Sequence, residues 1–379
     1  MTATQATERD LDAVRDAAAE FARQSLHGPG AGDAFSRTAW NACAGFGVQG
    51  LPVPAEYAGT QADLRTTAAV MEGLGLGCED NGLLFALNAQ LWSVEVPLVR
   101  FGSEAHRRRY LPGLVAGTLI GAHGMTEPGS GSDAFALKTR AERRGGAFVL
   151  NGEKWFVTNA PVCDFAIVFA TVDPSLGVGG ITAFVVDRDT AGFAIGRDEP
   201  KMGMRGSTLG RLTFTDCVVD LSQRLGGEGG GAAIFNSSME WERAAILSVC
   251  TGAMQRELDR CVEYAKTRRQ FKEPIGRFPA VGNRLADMKV RLEASRALLR
   301  RVAEVKDVGE GAALEAAVAK LYISEAWVQS NLDAQAVYGA FGYLTENGIE
   351  RQIRDSLASR IYSGTSDIQR LVIARSLGL

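Results

Sequence analysis

The 379-residue sequence predicts a mainly α protein with a β domain in its middle, on three observations. Apolar residues recur at helical spacing up to about residue 119, short β-type runs separated by turn residues fill 120–224, and helical periodicity returns from 225 to the end. The expected domains are therefore 1–119, helical; 120–224, a β-barrel or sandwich; and 225–379, a helical bundle.

In the first segment Leu11, Val14, Ala18 and Phe21 mark one apolar helix face. Glu104 to Leu114 is a second amphipathic stretch, and Gly28-Pro29-Gly30, Pro52 and Pro54 punctuate the helices. The middle segment holds the strand candidates Ala147–Leu150, Phe165–Val172, Ile181–Val186 and Leu212–Phe214, bounded by Gly, Pro, Asn and Asp. Leu225-Gly-Gly-Glu-Gly-Gly-Gly231 is a hinge. Beyond it, Val281, Leu285, Met288, Leu292 and Leu299, then Leu314, Val318, Leu321 and Val328, form the core-facing stripes of long antiparallel helices.

Composition excludes several function classes. Lys+Arg 41 against Asp+Glu 44 gives a net charge of −3, with no basic field for nucleic acid or an anionic membrane. The six cysteines show no CxxC pair and His27, His106 and His123 are scattered, so no metal site is expected. Met1 to Asp12 is polar and acidic without an apolar signal core, and the expectation is a reduced, cytoplasmic protein. Glycine is in excess, 44 of 379, roughly 12% against the usual ~7%.

Some of those glycines lie where chemistry is possible. His123-Gly-Met-Thr-Glu-Pro-Gly-Ser-Gly-Ser-Asp133 runs from a strand end into a loop whose Gly129 and Gly131 allow close backbone approach and whose hydroxyls add donors. Such a loop cradles a phosphate or polar heterocycle, or is simply a turn. Asn151-Gly152 opens with a hairpin signal and leads to the aromatic pair Trp155-Phe156 and Thr158, which could line a planar cofactor. Thr267-Arg-Arg-Gln-Phe271 places cations, an amide and an aromatic together, and Ile361-Tyr-Ser-Gly-Thr-Ser366 closes the chain's polar motifs.

These motifs, in this order, resemble the acyl-CoA dehydrogenase family of flavoproteins over nearly the whole chain. The resemblance implies an N-terminal helical domain, a middle β-barrel and a C-terminal four-helix bundle, FAD as cofactor, and a homotetramer (a dimer of dimers) or homodimer. It implies that Met125, Thr126, Gly131 and Ser132 hold the flavin ring and pyrophosphate, with Phe156 and Thr158 over the ring. Arg268, Gln270 and Phe271 would reach the cofactor of a neighbouring subunit, and Thr365 would close the site. Phe156 stands where many members have Trp, and Ala336 and Ala340 stand where Gln and Gly are common near the adenosine.

The family reaction removes an α-proton and a β-hydride from an acyl thioester, so it needs a carboxylate at the α-carbon and donors on the thioester oxygen. Many members carry that carboxylate just before the tail Gly-Thr, where this chain has Ser363, a hydroxyl too weakly acidic to act alone. Others place it on the first long bundle helix. Ser238-Met-Glu-Trp-Glu-Arg-Ala244 puts Glu242 there, before Arg243, with Glu240 a competitor on the opposite face. Without the resemblance, Glu242 reads as a solvated charge in a helix's opening turn. The Ser363 backbone N–H would serve as oxyanion donor, with Arg243, Tyr362 and Gly364 against the substrate.

A closer likeness, to the branch acting on prolyl and other aminoacyl or acyl groups bound to carrier proteins in natural-product pathways, rests on Ser237-Ser-Met-x-Trp-Glu-Arg, Pro274-Ile-Gly and the tail. The implied partners are a carrier protein or CoA thioester, with an electron-transfer flavoprotein or oxygen as acceptor. The alternatives are a dehydrogenase of a free short or branched CoA ester, an oxidase or monooxygenase on the same fold, and a flavin-free scaffold. Arg107-Arg-Arg109 is either a carrier contact or a solvated basic turn.

Overall fold

A computed structural model describes residues 7–27, 32–307, 309 and 311–379; the expected turn at Gly28 and Gly30 lies outside them. The chain opens with α1 (Glu8–Ser25), α2 (Arg37–Phe46), α3 (Leu64–Gly77) and α4 (Asn81–Gln90). Each starts at a capping side chain, Thr7, Ser36, Asp63 or Asp80, which accepts from a first-turn N–H. A π-helical turn, Leu91–Glu95, joins α4 to α5 (Val96–Phe101), and α6 (Glu104–Val115) follows. The span Asn81–Phe101 is apolar and long enough to cross a membrane by composition, yet 83% of its most apolar window is buried inside the protein, as in a core helix.

The middle segment contributes β1 (Gly121–Gly124), β2 (Arg140–Arg144), β3 (Ala147–Thr158), β4 (Phe165–Thr171), β5 (Ile181–Asp187), β6 (Phe193–Ile195), β7 (Leu209–Asp220) and β8 (Arg224–Leu225). They form one eight-stranded sheet in the order β6-β7-β3-β2-β4-β5-β8, with β1 parallel to β4. Strands near opposite ends of this path share one core, where Phe184 and Val186 of β5 lie with Phe193 of β6 and Phe214 of β7, so the sheet curls around its own interior. Its other face, including Phe165, Ile167 and Phe169, packs with Leu98, Tyr110 and Leu114 of α5 and α6.

Asn151-Gly152 is not the hairpin turn that its letters suggest. The chain reverses at Gly145-Gly146, and Asn151-Gly152 sits inside β3 at a register shift against β7. Asn151 and Asp216 bridge that irregularity, each bonding the other across the strands, which satisfies the polar groups a bulge leaves unpaired.

The C-terminal segment holds α7 (Gly231–Ala245), α8 (Ser248–Thr267), the small hairpin of β9 (Arg269–Gln270) and β10 (Glu273–Pro274), α9 (Pro279–Asp307), α10 (Ala313–Tyr338), α11 (Ile349–Ala358) and α12 (Ser366–Ser376). Met288, Leu292 and Leu299 are buried as the stripe pattern requires; Leu314 is exposed, and α10 instead buries Ala316, Ala319, Ile323 and Trp327. α3 crosses α8 at backbone contact: a Cβ on Gly75 would lie 2.0 Å from the Val249 carbonyl oxygen, and one on Gly252 1.9 Å from that of Glu72. Part of the glycine excess is therefore helix packing. Beside the crossing, Arg256 of α8 donates to the Gly75 and Cys78 carbonyls and to Gln352 of α11. Asp355 of α11 accepts from Asn81 of α4 and the Met204 N–H, so all three segments share one buried polar network.

Because a Cβ on Gly252 would collide with the α3 backbone, Gly252→Ala is expected to destabilise the protein by roughly 1–3 kcal/mol. A urea midpoint equal to that of the wild type would contradict the account.

Candidate active site

Glu242 lies in the last turn of α7, not the first, and is 7% exposed. The helix C-terminus offers an anion no dipole help, so its charge must be satisfied by side chains. Two hydroxyls do this: Ser93 donates to Oε2 and Ser363 to Oε1, both through short contacts. Ser93 comes from the π-helical turn, a geometry recurrent at functional sites. Burial raises the Glu242 carboxyl above its ordinary range, and the hydrogen bonds from Ser363 and Ser93, which favour the ionised form, pull it back. Glu240 faces elsewhere, accepting from Lys306 and the Ala312 N–H.

The tail turn is held from behind. Arg243, expected against substrate, donates its Nε to the Ser363 carbonyl at 3.0 Å, and Gln369 Nε2 donates to the carbonyls of Ser363 and Gly364 at 3.3 and 3.0 Å. Ser363 takes a left-handed backbone, φ 56°, an uncommon conformation for serine that Arg243 and Gln369 hold in place. The Ser363 N–H carries no hydrogen bond among the described residues, as an oxyanion donor requires. Tyr362 packs its ring on Phe85 at 4.6 Å, and burial raises its hydroxyl well above the usual tyrosine value.

The Thr126–Ser132 loop is shaped by a pair that the sequence offered only as motif letters. Lys154 of β3, 0% exposed, donates to Glu127 at 2.7 Å and to the Met125 carbonyl at 3.2 Å, while Glu127 also accepts from the Lys138 and Thr139 N–H groups. Burial brings Lys154 down to about 8, and it pushes Glu127 up; Lys154 together with the hydrogen bonds from Thr139 and Lys138 outweighs it and leaves the carboxyl below its usual range. Met125 is buried beside this pair, and Gly131 and Ser132 are exposed. Cβ atoms on Gly129 and Gly131 would meet nothing within 4 Å, so the loop borders open space where a ligand can lie.

Thr126 accepts from the Trp155 N–H, bringing the loop against β3. Of the aromatic pair, Trp155 is occupied by Arg211 over its ring at 3.7 Å. Phe156 meets Trp155 edge-on at 6.0 Å but is 64% exposed, with φ 55° at the register shift between Lys154 and Val157. A large aromatic displayed on left-handed backbone beside a glycine loop, with the half-buried Thr158 next to it, fits a planar ring better than it fits solvent.

Arg268, Gln270 and Phe271 are exposed at the far end of α8, whose 20 residues span ~30 Å from the Glu242 end. Phe271 is 89% exposed, and Arg268 lies over Phe341, close to the exposed Ala336 and Ala340. Thr365 caps α12, its hydroxyl accepting from the Ile368 N–H. Arg108 and Arg109 are paired with Glu104 and Asp187. Ser93 carried no signal in the sequence, lying unmarked in an apolar helical run.

The chain matches the family models for the acyl-CoA dehydrogenase N-terminal, middle and C-terminal domains over residues 8–118, 122–217 and 229–378. It is 41% identical to an L-prolyl-[peptidyl-carrier protein] dehydrogenase of Pseudomonas fluorescens over 346 residues, 91% of each chain. Among solved structures it is similar to the prolyl acyl carrier protein oxidase AnaB, with TM-score 0.97 and 47% identity over 99% of this chain and 100% of that one. It is also similar to PigA with FAD and proline, with TM-score 0.95 and 37% identity over the full length of both. A buried glutamate clamped by two serines, a glycine loop braced by a buried ion pair and an end-to-end match of all three domain models lead to one conclusion: this chain belongs to the acyl-CoA dehydrogenase family.

Proposed function

We propose that the protein dehydrogenates an aminoacyl thioester, prolyl or closely similar, carried on a carrier protein, with FAD as cofactor and Glu242 as base. The observation that carries this is the buried Glu242 carboxylate, held at the tail turn by the serine that stands in the place of the tail carboxylate. The names of the similar proteins support the acyl group and the carrier.

FAD would lie along Met125, Thr126, Gly131, Ser132, Phe156 and Thr158, closed by Thr365, and when bound it supplies the acceptor for the β-hydride. Arg268, Gln270 and Phe271 would serve the cofactor of a second copy, since they sit a whole helix away from Glu242 and are exposed. Ala336 and Ala340 beside them give it apolar contact only. The exposed Phe271, Tyr343 and Ile361 support such an assembly, a homodimer or homotetramer. The Ser363 N–H, oriented by Arg243 and Gln369, would bind the thioester oxygen and acidify the α-carbon. Glu242 would take the α-proton onto a carboxylate oxygen, and the Ser93 and Ser363 hydroxyls, able to donate or accept, turn to accommodate the new O–H. A small serine at 363 leaves the α-carbon room for a ring and its nitrogen.

Glu242→Gln should keep the fold and the yellow colour and lose turnover by at least about 10²-fold. The assay is intact mass of a prolyl-loaded peptidyl carrier protein, where the wild type removes two or four hydrogens; oxidation of free CoA esters instead would replace the carrier reading. The same assay with and without dioxygen identifies the electron acceptor.

The serine clamp makes a second prediction. Removing a donor to the ionised carboxylate raises the Glu242 pKa further, so Ser93→Ala and Ser363→Ala should each move the acidic limb of the kcat/KM–pH profile to higher pH by about one unit. Profiles that superimpose on the wild type would exclude the clamp as a control of the base.

A further inference from the structure

α10 carries a buried cation that the proposed reaction leaves unused. Lys320 is 0% exposed, among the largest fully buried side chains, and its Nζ has no hydrogen-bond partner among the described residues. A buried ammonium without a hydrogen bond is costly, and a methionine of the same reach would pack there without that cost. α10 packs against α7 and α8, and the groups that face Lys320 are Arg243 and Glu242 from α7, Cys250 from α8 and Glu325 from α10 itself.

Most of these are already engaged. Glu325 accepts from Arg360 and Ser366, and Arg243 directs its Nε at the Ser363 carbonyl. The charges on the other helices against α10 are also committed: Arg284 and Arg291 of α9 to Asp333, Asp355 of α11 to the Met204 N–H, and Asp367 of α12 to Arg370. Glu242 differs: both of its hydrogen-bond partners are neutral hydroxyls, and the cations that act on it are Arg243 and, after it, Lys320.

We propose that Lys320 is a positioning residue for the base: its buried ammonium acts on Glu242 across the packed contact between α7 and α10 and helps keep the carboxylate ionised. The inference rests on Glu242 being the base. Burial drives the two groups towards neutrality, the carboxyl upward and Lys320 down to about 8, and their attraction opposes both movements. A lysine retained at a cost in stability is what a function in holding charge predicts, whereas a lysine that braced the fold would have hydrogen bonds.

The test reads the proton on Glu242 without any substrate. Glu242 has a folded-state pKa above its unfolded value. The stability of the wild type relative to Glu242→Gln is therefore full below the unfolded carboxyl pKa of about 4.3 and is lost as pH rises to the folded value, beyond which it is flat. Urea midpoints of the FAD-loaded protein over about pH 4.5–9 locate that plateau. With Lys320→Met in both members of the comparison, the plateau should begin at a higher pH, because the ionised form is held less tightly. The midpoint of Lys320→Met itself should not fall below that of the wild type.

A plateau at the same pH in both backgrounds would overturn the proposal. So would a Lys320→Met protein that fails to fold, since the ammonium would then be bracing the structure. Failure of the base assignment would show separately, as turnover of the prolyl-loaded carrier protein by Glu242→Gln.

Discussion

The candidate site depends on keeping one buried carboxylate charged. Glu242 meets this requirement by collecting a hydroxyl from Ser93, 149 residues earlier, and another from Ser363, 121 residues later. Three distant parts of the chain must therefore be in register before the carboxylate is satisfied. The π-helical turn, the left-handed backbone at Ser363 and the Arg243 and Gln369 bonds behind it all serve that register. A carboxylate at position 363 would place a second negative charge beside Glu242, and like charges sharing a site cannot both stay ionised. Serine at 363 and glutamate at 242 form one arrangement in which the serine is a hydrogen-bond partner of the proposed base as well as a substitute for another carboxylate.

The Lys154–Glu127 pair solves a related problem at the other half of the site. A glycine loop is useful to a cofactor because its backbone can be approached, and that same freedom leaves it without a shape of its own. Burying Glu127 with bonds from Lys154, Lys138 N–H and Thr139 N–H fixes both ends of the loop to the sheet while Gly129 and Gly131 stay open. The cost of desolvating the pair is offset by the number of bonds it makes. The register shift between Lys154 and Val157 coincides with the left-handed backbone of Phe156, whose ring is displayed two residues after the buried lysine.

Much of this was legible from the letters. Helical and two-residue periodicities report which face of an element is apolar, and they located the helical ends, the central sheet and the bundle stripes. The motif order pointed to the family, and the absence of a tail carboxylate directed attention to Glu242. Local signals misled where long-range pairing overrides them: Asn151-Gly152 has hairpin letters but lies within a strand because Asp216 across the sheet completes its hydrogen bonds. Leu314 continues a stripe on paper and is exposed, because α10 is buried by partners that its own spacing does not reveal.

The sequence by itself determined the architecture, which depends on residue types at short spacing, and its motif order carried the family resemblance that singled out the candidate cofactor loop and the base candidate. Tertiary structure decided what those residues experience. That Glu242 is buried, that Ser93 and Ser363 hold its oxygens, that Arg243 supports a backbone turn, and that Lys320 is a cation without a hydrogen bond among the described residues all depend on segments more than a hundred residues apart or on neighbouring helices. Hydrogen bonding and burial act through space and leave no periodicity along the chain. A serine in an apolar helix and a lysine in a helical stripe therefore look ordinary until the helices meet.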